Sequence, residues 1–104
     1  MHPKLRPSSD ADREELLCPS CGGAFLHHDR VEVFQRDEDQ THGVHVLVED
    51  DKVTIDTSLE RNPSARRHGL VIGFWCETCN SRSTLDIAQH KGNTHVGVSL
   101  VKAA

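Results

Sequence analysis

Tyrosine is absent from this 104-residue chain, and with one tryptophan and three phenylalanines the aromatic residues make up only 4% of it. That scarcity argues against one broad way of holding single-stranded nucleic acid, in which successive bases stack on a row of rings. No apolar stretch approaches the roughly 20 residues that cross a bilayer as a helix. Residues 1–17 contain four acidic side chains and no apolar run of the kind that marks an export signal. The expected setting is therefore soluble and cytoplasmic, with thiols kept reduced. Catalytic signatures are missing too: there is no G-x-S-x-G, no glycine-rich phosphate loop and no H-E-x-x-H. Cysteine is limited to four residues, but the four are not scattered.

They fall in two pairs of identical spacing, Cys18-Pro19-Ser20-Cys21-Gly22 and Cys76-Glu77-Thr78-Cys79-Asn80. Two thiolates three residues apart can grip one metal ion from a tight turn, and a second such turn completes a tetrahedral shell without further ligands. Gly22 and Asn80, just past each pair, are the residue types that adopt positive φ most cheaply, as a metal knuckle requires. Four thiolates favour a single structural Zn2+, an ion with no redox chemistry and no geometric demand of its own. Iron would use the same ligands. Two disulfides are a competing reading, disfavoured by the missing export signal. A thioredoxin-like W-C-x-x-C site is another, but it needs a helix after the motif, and residues 83–87 alternate as a strand does.

The segments C-P-S-C-G-G and C-E-T-C-N resemble the paired knuckles of zinc ribbons, a rubredoxin-like group in which two β-hairpin turns clasp one ion. The resemblance covers only these eleven residues. It implies a β element and a structural metal held by Cys18, Cys21, Cys76 and Cys79, and no single activity, because one fold serves many functions. Short ribbons separate their knuckles by about 15–20 residues. Here 54 residues lie between Cys21 and Cys76, so the insert must build a structure of its own.

Along the chain, residues 1–11 carry Pro3, Pro7, Ser8 and Ser9 without apolar periodicity and read as a disordered tail. Residues 12–104 read as a single zinc-ribbon-like β domain, with 12–17 fit for one helical turn. Residues 31–36, 43–49 and 53–57 alternate with period two, which predicts an antiparallel meander between the knuckles. Residues 58–69, with Asn62-Pro63-Ser64 and Gly69, read as a long loop. The most apolar run, 70–75, is expected to be the central strand, covered on both faces. Ile72 and Phe74 should share one side and Val71 and Trp75 the other, with Val44, Val46 and Val48 packed over one of them. Residues 82–90 and 94–101 close a hairpin around Lys91-Gly92-Asn93. The expected fold class is all-β: a small antiparallel-sheet zinc ribbon enlarged by an inserted three-stranded meander.

The net charge of −4 hides an uneven distribution: residues 29–60 hold ten acidic and three basic side chains, and 61–104 hold two acidic and six basic. Arg61, Arg66, Arg67 and His68 cluster in the long loop, where guanidinium forks suit phosphate or carboxylate. Solvation, or pairing with the acidic insert, competes with that role. Eight histidines invite a second metal site among His27, His28, His42 and His45 or at His90 and His95, although neighbouring His27 and His28 on a strand point to opposite faces. No catalytic residue stands out. The leading expectation is a non-enzymatic zinc-stabilised binding module whose loop contacts nucleic acid or an acidic protein surface. The alternatives are a small metal-dependent enzyme using histidines at a second metal, and an assembly or regulatory factor that adds strands at a free sheet edge.

Overall fold

A computed structural model describes residues 1–10 and 12–102; Ala11 of the expected tail and the last two residues of the expected domain lie outside the described residues. Eight strands and no helix occur among the described residues: β1 Leu5–Pro7, β2 Glu14–Leu16, β3 Leu26–Gln35, β4 Val44–Glu49, β5 Lys52–Asp56, β6 Gly69–Cys76, β7 Arg82–His90 and β8 Asn93–Lys102. β1 and β2 form a small hairpin, and the other six make one antiparallel sheet in the order β5-β4-β3-β6-β7-β8. Two-residue turns fix its register at both ends. Asp50 and Asp51 (φ 55° and 61°) join β4 to β5, and Lys91 and Gly92 (φ 49° and 82°) join β7 to β8, the double positive φ that matches the twist of paired strands.

The N-terminal expectations need correction. Residues 12–17 do not form a helical turn; they contain β2, which pairs with β1 in the segment expected to be a tail. Arg6 Nε donates to Glu15 at 3.0 Å, and the Leu17 N–H donates to the Lys4 carbonyl at 2.9 Å. Met1 adds a one-residue bridge to the outer edge of β8, exchanging both backbone bonds with Val98 at 2.8 and 2.9 Å. A segment with no apolar period can be ordered by backbone pairing, and periodicity does not report that.

β3 leaves the first knuckle and β6 enters the second, and the two run as antiparallel neighbours with Leu26 opposite Cys76. The long insert therefore travels out along β3 and back along β6. Knuckle closure depends on that one pairing and not on the number of residues between. The insert's meander is not a separate layer, because β3 belongs to both halves of the sheet. Val44, Val46 and Val48 lie two strands from β6 in the same sheet and cannot cover it, and the interior residues of β6 are half-buried rather than covered on both faces. Ile72 and Phe74 do share a side, opposite Val71 and Trp75.

The register lines up two aliphatic rows across all six strands, Val53-Val48-Val31-Ile72-Leu85-Val98 and Ile55-Val46-Val33-Leu70-Ile87-Val96. Burial falls mainly on the other face. Phe34, Glu32 and His45 are 1%, 2% and 7% exposed there, while of the aliphatic rows only Val98 is fully buried. The 57–68 segment provides the cover on that side. A Cβ at Gly69 would strike Asn62 Oδ1 and Pro63, so glycine is what lets this loop press against the start of β6.

Candidate metal centre

Each knuckle is closed by the same pair of backbone bonds. In the first, Gly22 N–H donates to the Cys18 carbonyl at 2.9 Å and Cys18 N–H to the Gly23 carbonyl at 2.8 Å; in the second, Asn80 donates to Cys76 at 2.8 Å and Cys76 to Ser81 at 3.0 Å. Gly22 (φ 78°) and Asn80 (φ 59°) take the positive φ expected of them. The four sulfur atoms lie within 4.8 Å of one another, with Cys18 Sγ 3.8 Å from Cys79 Sγ and Cys21 Sγ 3.7 Å from Cys76 Sγ. Bonds of about 2.3 Å at the tetrahedral angle place thiolate sulfurs about 3.8 Å apart. The donor set and its spacing thus fit one four-coordinate metal ion, while disulfides, with sulfurs about 2.05 Å apart, do not fit these free cysteines.

The surroundings treat the four thiols unequally. Burial opposes the Cys18 thiolate, but the Ser81 hydroxyl and the backbone N–H groups of Cys21 and Ser20 outweigh it and bring its pKa down to about 6. The Ser81 hydroxyl, 3.1 Å from Cys79 Sγ, and the Ser81 backbone lower Cys79 as well. For Cys21 the Gly23 N–H favours the thiolate, yet desolvation and the three neighbouring thiols prevail and push it up to about 11. Ser81 is 1% exposed, and its hydroxyl reaches the sulfurs of both Cys18 and Cys79, at 3.4 and 3.1 Å, the place from which an outer partner would orient two ligands. A metal ion held by all four cysteines would have no open position for water or substrate, as in structural centres.

No family model matches the chain, and neither does any curated protein or solved structure. The four-cysteine cluster is compatible with a zinc-ribbon-like knuckle pair on its own geometry.

The loop residues Arg66, Arg67 and His68 come together, with Glu38, Gln89 and the His90-Lys91-Gly92 turn, around a cleft of about 430 Å3. β6 separates this cleft from the four-cysteine cluster by about 23 Å of strand. Ser64, 4% exposed, pins the loop: its hydroxyl donates to the Gln89 carbonyl at 2.7 Å and accepts from Arg67 N–H at 2.9 Å. Arg66 grips Asp39 through two bonds of 2.8 Å and reaches Glu38 at 3.1 Å. Hydrogen bonding from Arg66 holds the Asp39 carboxyl below its ordinary range. Arg67 stands 3.5 Å from Glu38, and His68 Nδ1 accepts from the Arg36 N–H at 3.0 Å. Arg61 is not part of this group. Its guanidinium turns to Glu32 at 2.7 Å.

That contact belongs to a network the sequence reading missed. Glu32 also accepts from Arg30 at 2.6 Å and shares a 2.8 Å bond with His45 Nε2, whose Nδ1 meets Asp56 at 2.8 Å. The His45 ring stacks on Phe34 with centroids 4.5 Å apart. The Ser58 N–H first, and His45 second, keep the Asp56 carboxyl below its usual range. Glu32 within Val31-Glu32-Val33-Phe34 reads as the solvent side of an alternating strand, and its partner Arg61 lies 29 positions away. The other histidines do not converge on a metal. His27 stacks on Trp75 and bonds Glu77 at 2.8 Å, His28 faces the opposite side beside Phe74, and among the described residues the four cysteines are the one cluster with metal-ligand spacing.

Proposed function

We propose that this chain is a non-enzymatic binding module in which one Zn2+ fixes the knuckle end of the sheet and the cationic cleft at the opposite end receives an acidic protein segment. The observation that carries this reading is the way Arg66 and Arg67 hold Glu38 and Asp39, a built-in example of an acidic segment docked on the loop. These pairs are exposed on both sides, and exposed pairs exchange at little cost. Lys91 extends the cationic rim. The surrounding 29–60 segment, net −7 (three basic against ten acidic residues), repels either anion; a protein partner is favoured because the contacts the loop already makes are to carboxylates and because aromatic residues for base stacking are only 4% of the chain. Arg61 lies apart from this cleft, its guanidinium held by the buried Glu32.

Elemental analysis should return one zinc per chain; a second tightly held metal would reopen the enzymatic alternative. In a titration with an acidic peptide at low salt, Arg66→Ala with Arg67→Ala should weaken association about tenfold, chiefly through the on-rate. Unchanged affinity in the double variant would remove the cleft as the binding surface. A nucleic-acid affinity that loses about one unit of salt slope per arginine removed would favour the other partner class.

A further inference from the structure

The sheet is one layer thick, and its burial is inverted: a glutamate is sealed on one face while the other face exposes two rows of branched aliphatic side chains. Val33, Val48, Val53, Ile55, Val96 and Leu100 are between 36% and 69% exposed on that face. The rows carry no Asp, Glu, Lys or Arg. The chain as a whole exposes 7046 Å2, whereas a compact monomer of 11.6 kDa exposes about 5,800 Å2. Its radius of gyration is 14.7 Å, against about 13 Å for a compact domain of this length. The surplus of about 1,200 Å2 is comparable to the roughly 800 Å2 that each partner contributes to a standard stable interface. Between the exposed members on β3, β4, β5 and β8 the row residues of β6 and β7 are half-buried, with Val98 buried, and an apolar face shared by six strands is the kind of surface that marks an interaction site.

We infer that this aliphatic face is the interface of a homodimer, in which a second copy of the chain packs its own two rows against the first, sheet on sheet, about a two-fold axis. An uncharged face offers nothing to a phosphate backbone or an anionic surface; what complements it is another aliphatic face. The chain's own face has the matching composition and extent and is present at equal concentration. An isologous contact places the same patch on both subunits, and two twisted sheets packed face to face form a core about 10 Å thick. The opposite face is unavailable for this packing, because the 57–68 segment and the Glu32 network already occupy it. None of the row residues lines the cleft or belongs to a knuckle, so the inference does not rest on the function proposed above.

Sedimentation equilibrium of the zinc-loaded chain should give twice the 11.6 kDa mass at about 50 μM, since interfaces of this size bind at micromolar or better. Val53→Lys with Ile55→Lys alters side chains already 64% and 69% exposed, so the single chain folds as before. Opposed lysines in the dry interface should weaken dimerisation at least about a hundredfold. Val96→Lys, at the far end of the Ile55 row, is an independent second variant with the same expected loss. Thr54→Lys, on the other face of β5, should remain dimeric. Metal content and the far-UV spectrum confirm that each variant keeps its sheet. A wild-type chain that stays monomeric at about 100 μM overturns the inference. So does a dimer that survives the lysines, or one that Thr54→Lys disrupts equally, because the interface would then lie elsewhere.

Discussion

Stripping the metal is expected to abolish cooperative folding. A structural zinc contributes on the order of 10 kcal/mol, and a domain of this size has a total stability of about 5–15 kcal/mol. This chain is unusually exposed to that loss, because among the described residues the fully buried hydrophobic ones are Cys18, Phe34, Cys76 and Val98, and two of those four belong to the candidate metal site. Without the ion, thiols sit 3.7–3.8 Å apart with nothing to bridge them. The expected result of chelation at neutral pH, or of Cys18→Ser, is a broad and shifted thermal transition, with the four thiols open to titration. Loading should also weaken as the solution is acidified. The Cys18 pKa is lowered in the folded state, so its contribution to metal-free stability is present above the ordinary value of 9.0 and is lost as pH falls through about 6. Cys21, raised to about 11, binds a metal only by giving up its proton, so acid competes at that ligand first. A metal-free sample with an unchanged, sharp transition would show that the sheet holds itself.

Reading the sequence located most strands and the four cysteines that come together, and it did so for local reasons. C-x-x-C with a positive-φ residue behind it is a complete local specification, and Gly22 and Asn80 fulfil it without help from distant residues. The alternation in 43–49 and 53–57 likewise fixes β4 and β5, because side chains on a strand repeat every two residues. The partner of each face was not legible. Val44, Val46 and Val48 show which side of β4 is apolar, but not that β3 joins the meander to β6 edge to edge, which removes the second layer they were expected to cover. The role of Glu32 was hidden for a related reason. Alternation identifies a polar side, and only the path of the 57–68 segment, pressed close at Gly69, turns that side inward. Pairing of the loop arginines with the acidic insert was legible as an alternative, but not that Arg61 would meet Glu32.

The Glu32 network gives the second large effect, and it reverses what strand alternation alone implies. By pattern, Glu32 is a solvent-facing residue that alanine should replace at no cost. In the structure it is 2% exposed, and Arg30, His45 and Arg61 all converge on its two oxygens. Removing it leaves donors without an acceptor beneath a closed loop, and breaking a buried pair from one side costs about 3–5 kcal/mol. The lower end applies, because the side chain of Arg61 is about half exposed and regains water. Glu32→Ala is therefore expected to cost about 3 kcal/mol in denaturant unfolding. Glu32→Gln keeps one acceptor oxygen for three donors and should cost roughly 1–2 kcal/mol. Glu49→Ala, on the same face but outside the seal and only 3.9 Å from Arg30 at its closest, should stay within about 0.5 kcal/mol of wild type. In Glu32→Ala the 57–68 segment should also become protease-sensitive, since the anion that anchors Arg61 is gone. Equal stabilities for Glu32→Ala and Glu49→Ala would mean that the seal over β3 opens in solution, and that the loop carrying Arg66 and Arg67 is not held by it.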